Sequence, residues 1–286
     1  MQMSAAELEL DPPTTRSHGS VRGMSASASP TVSVVIPALN EAANLPHVLT
    51  RMAPEWEIIL ADGQSTDETI SVARALRPDV RIVLQTGQGK GNALACGFAA
   101  ASGDVIVMID ADGSMDPTEI HAFVEAVARS PRTYVKGSRI LHNGGSDDLT
   151  RIRRAGNWML VSVVNALFGT KYTDLCYGFI AFWRCDLDRL GFQRTGAGLA
   201  ADEHKDLGFE IETFLNIRAA RAGLRVVEIP SFERSRVNGV SNLRVMRDGF
   251  RILRTILHER ARRTPVTVQD TLTIVLEPSL ASQAAS

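Results

Sequence analysis

Two carboxylates one residue apart are the part of this sequence best suited to chemistry. Asp110 and Asp112 follow the apolar run 105–109 and precede Gly113. In a chain leaving a strand, residues i and i+2 project to the same side, and carboxylates so placed repel each other unless a cation lies between them. A divalent metal held by one or two carboxylates, with waters and substrate phosphates as its other ligands, fits this spacing. A polar turn is the alternative, because Asp and Gly are common turn residues.

The elements that must position these carboxylates alternate between strand and helix. Apolar runs rich in β-branched residues predict strands at 32–38, 56–63, 81–86 and 105–110. Apolar residues at helical spacing predict helices between them, at 40–52, 65–77 and 91–101. A capping pattern at Ser65 or Thr66 marks the start of the second helix. This alternation predicts an α/β fold with a mostly parallel central sheet flanked by helices on both faces.

Polar residues follow three of the predicted strands at the point where each strand ends. Asn40 and Glu41 follow the first strand, Asp62 ends the second, and the two aspartates follow the fourth. Ligands bind such sheets at the carboxyl ends of the strands, so this convergence favours a nucleotide site over solvated loops. The glycine-rich stretch 86–94 adds Lys90 at a helix entrance, where amide groups favour anions. A flexible turn explains that stretch equally well.

The pattern changes after Pro131, which suggests two halves of one domain, at 31–131 and 132–263. The second half predicts helices at 151–169, 209–222 and 242–263, with strands between them. We expect a disordered tail at 1–30, where periodic apolar residues are lacking, and a C-terminal tail at 264–286.

Composition narrows the class of protein. Hydrophobic residues make up 44% of the 286 residues, which is ample for a buried core. The net charge of −1 offers no electrostatic case for nucleic acid as a partner. Three cysteines without metal-ligand spacing, and no recognisable signal peptide, predict a cytoplasmic protein with structural thiols. No apolar run is long enough to predict a transmembrane helix.

Seven short motifs together resemble glycosyltransferase family 2, whose members have the GT-A fold. They are VVIPALNE, ILADGQSTDET, GKGNA, IDADGSMDP, TDLCYGF, FEIE with VVEIP, and RVNGVSN, spread over about 32–260. Within this family the chain is most similar to the dolichol- and polyprenyl-phosphate mannosyl- or glucosyltransferases. The resemblance implies an inverting transfer of one sugar from a nucleoside-diphosphate sugar, of the GDP-mannose or UDP-glucose type, to a polyprenyl phosphate. The Gln-x-x-Arg-Trp motif of processive polysaccharide synthases is absent.

The resemblance also implies a role for each matching residue. The nucleotide half, 31–131, would bind the donor, and 132–263 would bind the acceptor. Asp110 and Asp112 would hold Mg²⁺ or Mn²⁺ on the donor diphosphate. The expected donor-binding residues around them are Pro37, Ala38, Asn40, Glu41, Asp62, Lys90 and Gly91. Those expected on the acceptor and phosphate side are Asp174, Gly178, Arg236 and Ser241.

Three positions depart from the family pattern. Ser114 stands where close relatives have a metal-reaching Gln, and Ile180 stands where a basic residue often follows the acceptor turn. Asn242 replaces a Lys at the end of the family's phosphate-binding segment, which corresponds to 236–242 in this chain. The loss of that cation weakens the case for a lipid-phosphate acceptor and keeps a soluble metabolite hydroxyl open as the alternative.

The chemistry follows from charge. Cleavage of the bond between sugar and diphosphate leaves added negative charge on the leaving group, which a metal at the two aspartates would stabilise. A phosphate acceptor is already ionised at neutral pH, whereas a hydroxyl acceptor would need a carboxylate base. Glu210 and Glu212 are the candidate bases, and residues two apart on a helix do not share a face, so at most one should enter the site. We expect Asp112, Arg236 and one of these glutamates to act in catalysis.

Basic, apolar helices suggest a second partner. Arg247, Arg251 and Arg254 stand beside apolar residues in the last predicted helix, a mixture seen in helices at membrane surfaces. Packing of such a stripe on the core is the more common arrangement, and we expect Trp158 and Phe168 to pack there too. Peripheral contact at the inner membrane face is the alternative.

Two other classes of protein could share these features. A nucleotidyltransferase would usually carry a glycine-rich, basic loop after the first strand, where this chain has PALNEAAN. A non-catalytic nucleotide-sugar-binding protein would not need an intact pair of aspartates.

Overall fold

A seven-stranded sheet forms the centre of the fold in this computed structural model, which describes residues 29–192, 194–195, 198–199, 208, 210–239 and 245–262. The sheet order is β10-β5-β7-β4-β1-β2-β3, and only β7 runs antiparallel to its neighbours. Its strands are β1 (Val32–Ala38), β2 (Glu57–Asp62), β3 (Arg81–Leu84), β4 (Val105–Met108), β5 (Thr133–Ser138), β7 (Ile180–Trp183) and β10 (Arg225–Pro230).

Short strand pairs and helices complete the described residues. The pair β6 (Gly145–Ser146) and β11 (Phe232–Glu233) is parallel, and the pair β8 (Arg194–Thr195) and β9 (Gly198–Leu199) is antiparallel. Two 3₁₀ turns span Pro117–Glu119 and Arg184–Asp186. The α-helices are α1 (Leu45–Leu49), α2 (Thr69–Leu76), α3 (Gly89–Ala100), α4 (Ile120–Ala128), α5 (Arg151–Phe168), α6 (Ile211–Arg221) and α7 (Val245–Ala261).

Both faces of the sheet are buried, which explains why β4 is apolar at every position and β1 at most of them. Val34 and Ile36 of β1 join a core beneath α1 and α4, whereas Val35 joins a second core beneath α3, α5, α6 and α7. Successive strand residues point to opposite faces, so a strand covered on both sides needs apolar residues at every position. The predicted α/β fold with a mostly parallel, helix-flanked sheet is confirmed.

The close fit of α3 to the sheet depends on one glycine. A Cβ placed on Gly97 would lie 2.4 Å from Cγ1 of Val35 in β1. Only a residue without a side chain lets the helix lie this near to the strand. This contact fixes α3, and therefore the residues of its first turn, relative to the carboxyl end of β1.

The predicted halves share one sheet. Strand β7, from the second half of the sequence, lies between β4 of the first half and β5. Its antiparallel direction brings the chain that precedes Ile180 to the carboxyl end of β4. The tails predicted at 1–30 and 264–286 lie outside the described residues except for Ser29 and Pro30.

Several local predictions differ from the structure. The first predicted helix, at 40–52, is reduced to α1 because Asn40 has a φ of 57° and starts a loop instead. The helix that follows β2 begins at Thr69, so Ser65 and Thr66 are loop residues rather than its cap. The third helix starts at Gly89 and includes Lys90 in its first turn.

No helix among the described residues is both long and apolar enough to span a bilayer.

The prediction that Trp158 of α5 packs on the core was wrong, because this residue is 71% exposed. Phe250 of α7 is 69% exposed. Phe168, in contrast, is partly buried against the core, as predicted. Helical spacing identifies which residues share a face, but burial of that face depends on whether another element covers it.

Candidate active site

The carboxyl ends of β4, β1 and β2, three neighbouring strands, meet at one edge of the sheet. They carry Asp110 and Asp112 after β4, Asn40 and Glu41 after β1, and Asp62 at the end of β2. Because all three strands run parallel, their ends lie side by side. The polar residues that the sequence placed at strand ends are thus brought together.

The loops after β1 and β2 are tied to each other by hydrogen bonds. The backbone N–H of Asn40 donates to Oγ of Ser65 at 2.9 Å, and the N–H of Thr66 donates to Oδ1 of Asn40 at 2.8 Å. The N–H of Glu41 donates to Oγ1 of Thr69 at 2.9 Å. The N–H of Gly63 donates to the carbonyl of Ala38 at 2.7 Å. Asn40 therefore ties the two loops together at the end of β1, the strand that contains Pro37 and Ala38.

Asp62 is a buried carboxylate, and one of its two oxygens accepts no hydrogen bond from the described residues. Its side chain is fully buried, and Oδ2 accepts the N–H of Ser65 at 2.9 Å. The other oxygen, Oδ1, has no hydrogen-bond partner among the described residues. A buried acceptor without a partner costs free energy, so this oxygen is well suited to accept a hydrogen bond from a ligand.

Lys90 lies between two carboxylates from distant parts of the chain. Its Nζ is 2.6 Å from Oδ1 of Asp110 and 2.6 Å from Oε1 of Glu212. Burial alone would lower the pKa of Lys90, but the negative charges of Asp110 and Glu212 outweigh it and raise that pKa above its usual value. Burial raises the pKa of Glu212, although Lys90 opposes this. The partly buried ammonium group of Lys90 thus pairs with two carboxylates.

Asp112 faces a different cation. Its Oδ1 accepts the N–H of Ser114 at 3.0 Å, and its Oδ2 lies 3.8 Å from Nη1 of Arg236. Arg236 also pairs with Glu41 through its other terminal nitrogen. Gly113 lies in the turn between Asp112 and Ser114. Its φ of 77° is in the left-handed region, which favours glycine.

The carboxylate oxygens of Asp112 are suitable ligands for a hard divalent cation that is also bound by phosphate oxygens. Carboxylate oxygen is the ligand type that Mg²⁺ prefers, and such sites commonly use one or two carboxylates plus substrate phosphates. Asp112 Oδ2 is not in a short hydrogen bond, and the side chain is partly exposed. Within the described ranges, no three His, Cys, Asp or Glu side chains could form an all-protein metal site. The residues therefore fit a metal that is shared with a diphosphate.

The segment 234–239 crosses the site and is fastened at both ends. The N–H of Arg234 donates to the carbonyl of Ser114 at 2.8 Å, and that of Val237 donates to the carbonyl of Asp112 at 3.3 Å. The N–H of Asn238 donates to Oδ1 of the buried Asn44 at 2.9 Å, with a return bond from Asn44 Nδ2 to the Asn238 carbonyl at 3.3 Å. We call the Asn44–Asn238 contact the amide clasp. These bonds hold Arg236 beside Asp112.

The two candidate bases point in different directions. Glu212 reaches Lys90, whereas Glu210 pairs with Arg251 of α7 at 2.9 Å. Only one of the pair therefore contacts the residues around Asp110, as helix geometry requires. Glu212 is ion-paired and almost completely buried, so it is not a free base in this structure.

The turn at 174–178, which the sequence predicts to lie on the acceptor side, is held by a buried ion pair. Asp174 is fully buried, and Oδ1 and Oδ2 accept from Nη2 and Nε of Arg139 at 3.0 and 2.7 Å. Burial alone would raise the pKa of Asp174, but Arg139 outweighs it and lowers that pKa. Asp174 thus holds the turn rather than presenting a free carboxylate. Gly178 does line the site, since a Cβ there would lie 3.2 Å from Oε1 of Glu212 and 3.4 Å from Nζ of Lys90.

The remaining predicted residues are placed as follows. Gly91 is buried in the first turn of α3, directly after Lys90. Ile180 is the first residue of β7, and it is buried in the hydrophobic core. Ser241 and Asn242 lie outside the described residues.

Sequence reasoning missed two contributors to the site. Arg139 supports the acceptor turn, and Asn44 fastens the segment that carries Arg236. Their partners are distant in sequence, so no local pattern identifies them.

The solved structures that this chain resembles define its fold. Glucosyl-3-phosphoglycerate synthase from Mycobacterium tuberculosis, solved with Mn²⁺, UDP-glucose and phosphoglyceric acid, matches with a TM-score of 0.60 over 81% of this chain and 80% of that chain. The same synthase with Mn²⁺, UDP and glucosyl-3-phosphoglycerate matches with a TM-score of 0.59. At 23% and 24% identity these likenesses establish the fold, which is that of the GT-A glycosyltransferases.

The particular family follows from the sequence comparisons. The model of "Glycosyl transferase family 2" matches residues 33–191, and the chain belongs to that family. Undecaprenyl-phosphate mannosyltransferase from Micrococcus luteus is 31% identical over 209 residues, covering 70% of this chain and 82% of that protein. A PGL/p-HBAD biosynthesis glycosyltransferase from Mycobacterium bovis is 33% identical over 54% of this chain and 68% of its own length. The protein is a glycosyltransferase.

Proposed function

We propose that this enzyme transfers one sugar, with inversion, from a nucleoside-diphosphate sugar to a polyprenyl phosphate, using Mg²⁺ or Mn²⁺. The donor is expected to be of the GDP-mannose or UDP-glucose type. One observation carries the proposal: the ion-paired group Asp110–Lys90–Glu212 lies beside Asp112 and Arg236 at the edge that also bears the unpaired oxygen of Asp62. This edge offers separate contacts for a nucleoside, a diphosphate and a sugar.

Asp62 and the loops after β1 and β2 form the nucleoside end of the site. The free Oδ1 of Asp62 can accept one hydrogen bond from a base N–H or a ribose hydroxyl. Asn40 and Glu41 hold the neighbouring loop in position. Because these hydrogen bonds already order the loops, less conformational entropy would be lost when a nucleoside binds.

Asp112 is the residue best placed to hold the metal, because Asp110 is already paired with Lys90. When bound, the metal would stabilise the negative charge on the departing diphosphate. Arg236 is a cation within reach of the same region and can exchange its pairing with Glu41 for a phosphate oxygen.

The reaction replaces one bond to the anomeric carbon with another. The bond from that carbon to the diphosphate oxygen breaks, and its electron pair leaves with the nucleoside diphosphate. An oxygen of the acceptor phosphate supplies the electron pair of the new bond from the opposite face. No proton is transferred, because the acceptor is already ionised, which is compatible with a Glu212 that is held by Lys90.

The group Lys90–Glu212, which faces the turn at Gly178, lies where the sugar would be held. A partly buried ammonium and a buried carboxylate can bind adjacent sugar hydroxyls with a donor on one side and an acceptor on the other. These residues are therefore proposed to position the sugar rather than to move a proton.

The choice of acceptor rests on relatives that differ. The mannosyltransferase from M. luteus is named for undecaprenyl phosphate, whereas the matching synthase from M. tuberculosis was solved with phosphoglyceric acid. The sequence match is the stronger of the two in identity, so we propose a polyprenyl phosphate. A soluble phosphorylated acceptor is the second candidate.

A cytoplasmic location, where nucleotide sugars would be available, is part of the proposal.

A transfer assay on the full chain tests this proposal. GDP-mannose and UDP-glucose are each supplied with Mn²⁺, Mg²⁺ or EDTA, and with undecaprenyl phosphate or 3-phosphoglycerate. We expect metal-dependent product from undecaprenyl phosphate, with an inverted anomeric configuration by NMR. Asp112→Asn should lose about 100-fold or more of the rate, as expected for loss of a charge-stabilising group.

A matched control separates chemistry from folding. Asp104→Asn changes an exposed aspartate at the opposite end of β4, where it accepts hydrogen bonds from Thr31. This variant should keep full activity. Product from 3-phosphoglycerate alone would assign the soluble acceptor instead, and turnover that is unchanged in EDTA would contradict the metal site.

A further inference from the structure

Helices α5 and α7 form one outer layer of the molecule. Leu160 and Val164 of α5 and Ile252 and Ile256 of α7 are buried in the same hydrophobic core. The two helices also contact each other and α6. Their outward faces therefore lie side by side on the same side of the sheet, and we call these two faces together the outer face.

The outer face exposes unusually large apolar side chains. Ile152 and Trp158 of α5 are 72% and 71% exposed, and Met159 is half-exposed. Phe250 and Leu257 of α7 are 69% and 55% exposed. Single exposed apolar residues are ordinary, but a group of them on neighbouring helices indicates an interaction surface.

The charge of the outer face has one sign. Helix α5 contains no Asp or Glu, and both acids of α7, Asp248 and Glu259, are buried. The exposed charged residues of the two helices are all arginines: Arg151, Arg154, Arg247, Arg254 and Arg260. The net charge of the whole chain is −1, so this positive charge is local.

We propose that the outer face docks on an anionic phospholipid bilayer. Arginines beside exposed aromatic and aliphatic side chains are the composition of a helix that lies in a membrane interface. Basic residues gain electrostatic free energy near anionic lipids, and the indole of Trp favours the boundary between headgroups and acyl chains. The charge complementarity favours anionic lipid over a second copy of this chain, whose outer face would carry the same positive charge.

This proposal goes beyond the proposed function, because it requires neither a sugar donor nor a lipid-phosphate acceptor. Docking would hold the enzyme at a bilayer whichever acceptor it uses. Vesicles that contain no polyprenyl phosphate therefore test it separately from catalysis.

Intrinsic fluorescence gives a direct readout. The chain has three tryptophans, and Trp56 and Trp183 are 5% and 9% exposed, so Trp158 is the one that solvent reaches. The full chain is titrated with vesicles of phosphatidylglycerol and phosphatidylcholine, and with phosphatidylcholine alone. We expect a blue shift and co-sedimentation with the anionic vesicles, weakened at high salt, and little binding to the neutral ones.

Variants locate the contact. Replacing Arg151, Arg154 and Arg254 together by Gln should weaken binding to anionic vesicles on the order of 100-fold. Trp158→Ser with Phe250→Ser should weaken co-sedimentation as well. The matched controls are Arg74→Gln and Leu84→Ser, an exposed arginine of α2 and an exposed leucine of the edge strand β3, which should bind like the unchanged protein. Circular dichroism checks that each variant is folded.

Three results would overturn the proposal. The first is no co-sedimentation with anionic vesicles. The second is equal loss of binding in the matched controls. The third is a dimer in analytical ultracentrifugation that dissociates in the Trp158→Ser, Phe250→Ser variant, because a second copy would then cover the outer face.

Discussion

At the scale of single residues, the two aspartates that stand one residue apart have different environments. Asp110 is held by the partly buried Lys90, whereas Asp112 lies beside Arg236 and is more loosely held. The pair is thus divided between a buried ion-paired group and a carboxylate that can take a metal. Variants of Lys90 test how this division is built.

Removal of Lys90 should cost both stability and activity. Lys90→Met leaves Asp110 and the buried Glu212 without their cation, and loss of one partner from a buried pair typically costs about 3–5 kcal/mol. The double variant Lys90→Met, Glu212→Gln should recover much of the stability but none of the turnover. Urea denaturation and the transfer assay measure the two effects. Recovery of activity in the double variant would show that these residues only support the fold.

Asp174 should make stability depend on pH in the acid range. Because its pKa in the folded protein is below the ordinary 3.8, the unfolded chain binds more protons there. The stability from the pair with Arg139 is therefore fully present above the ordinary value and lost as the pH falls through the lower, folded pKa. Asp174→Asn should cost about 3 kcal/mol at pH 7.

Denaturation midpoints in urea between pH 7 and pH 3 measure this effect. The loss of stability at acid pH should be shallower in Asp174→Asn than in the unchanged protein. An equally steep loss in the variant would mean that other carboxyls are responsible.

At the scale of elements, the distance between α3 and β1 is set by a glycine. Gly97→Ala would place a methyl group 2.4 Å from Cγ1 of Val35, and such overpacking costs about 1–3 kcal/mol. Shortening the neighbour, in Gly97→Ala with Val35→Ala, should relieve part of this cost. Thermal unfolding measures both.

A second helical glycine serves as the control. A Cβ on Gly156 of α5 would meet no atom of the described residues within 4 Å. Gly156→Ala should therefore stabilise the protein by about 0.5–1 kcal/mol, because it lowers the conformational entropy of the unfolded chain. Destabilisation at both positions would show that packing against the sheet is not what distinguishes them.

The amide clasp should act on catalysis through the segment that carries Arg236. Asn44→Ala leaves the N–H of the exposed Asn238 without its protein acceptor, at a cost of about 0.5–1.5 kcal/mol, the net value of one hydrogen bond. We expect a lower kcat, since Arg236 is then less well positioned, with a smaller change in KM for the acceptor. Thr50→Ala, at the other end of α1, should change neither constant. An Asn44→Ala enzyme with normal kcat would show that the clasp only stabilises the loops.

At the scale of the whole molecule, ligand binding should be visible as stability. A donor that binds only the folded state at 100 times its Kd adds about 2.7 kcal/mol. For a domain of this size, 1 kcal/mol corresponds to roughly 2–4 °C in Tm. The rise in Tm with the matching donor should require Mn²⁺ or Mg²⁺ and should be lost in Asp112→Asn. An equal rise without metal would place the donor away from Asp112.

Much of the fold was predictable because its strands are buried on both faces. Continuous apolar runs at β1, β2 and β4 separated by helical patterns indicate a parallel sheet, and parallel strands end at the same edge. The meeting of Asp62, Asp110 and Asp112 at one edge follows from this order alone. The antiparallel direction of β7 was not predictable, because no local pattern encodes which neighbours a strand pairs with.

The sequence by itself determined the class of fold, the edge of the sheet that carries chemistry, and the family. Only the tertiary structure decided which charges pair. Lys90 meets Glu212 from 122 positions away, and Arg236 meets Glu41 from 195 away. Burial of the outer helices was also decided there, since Trp158 has helical spacing but no element among the described residues covers it. Local patterns record what each segment prefers, whereas pairing and burial depend on the segments that fold against it.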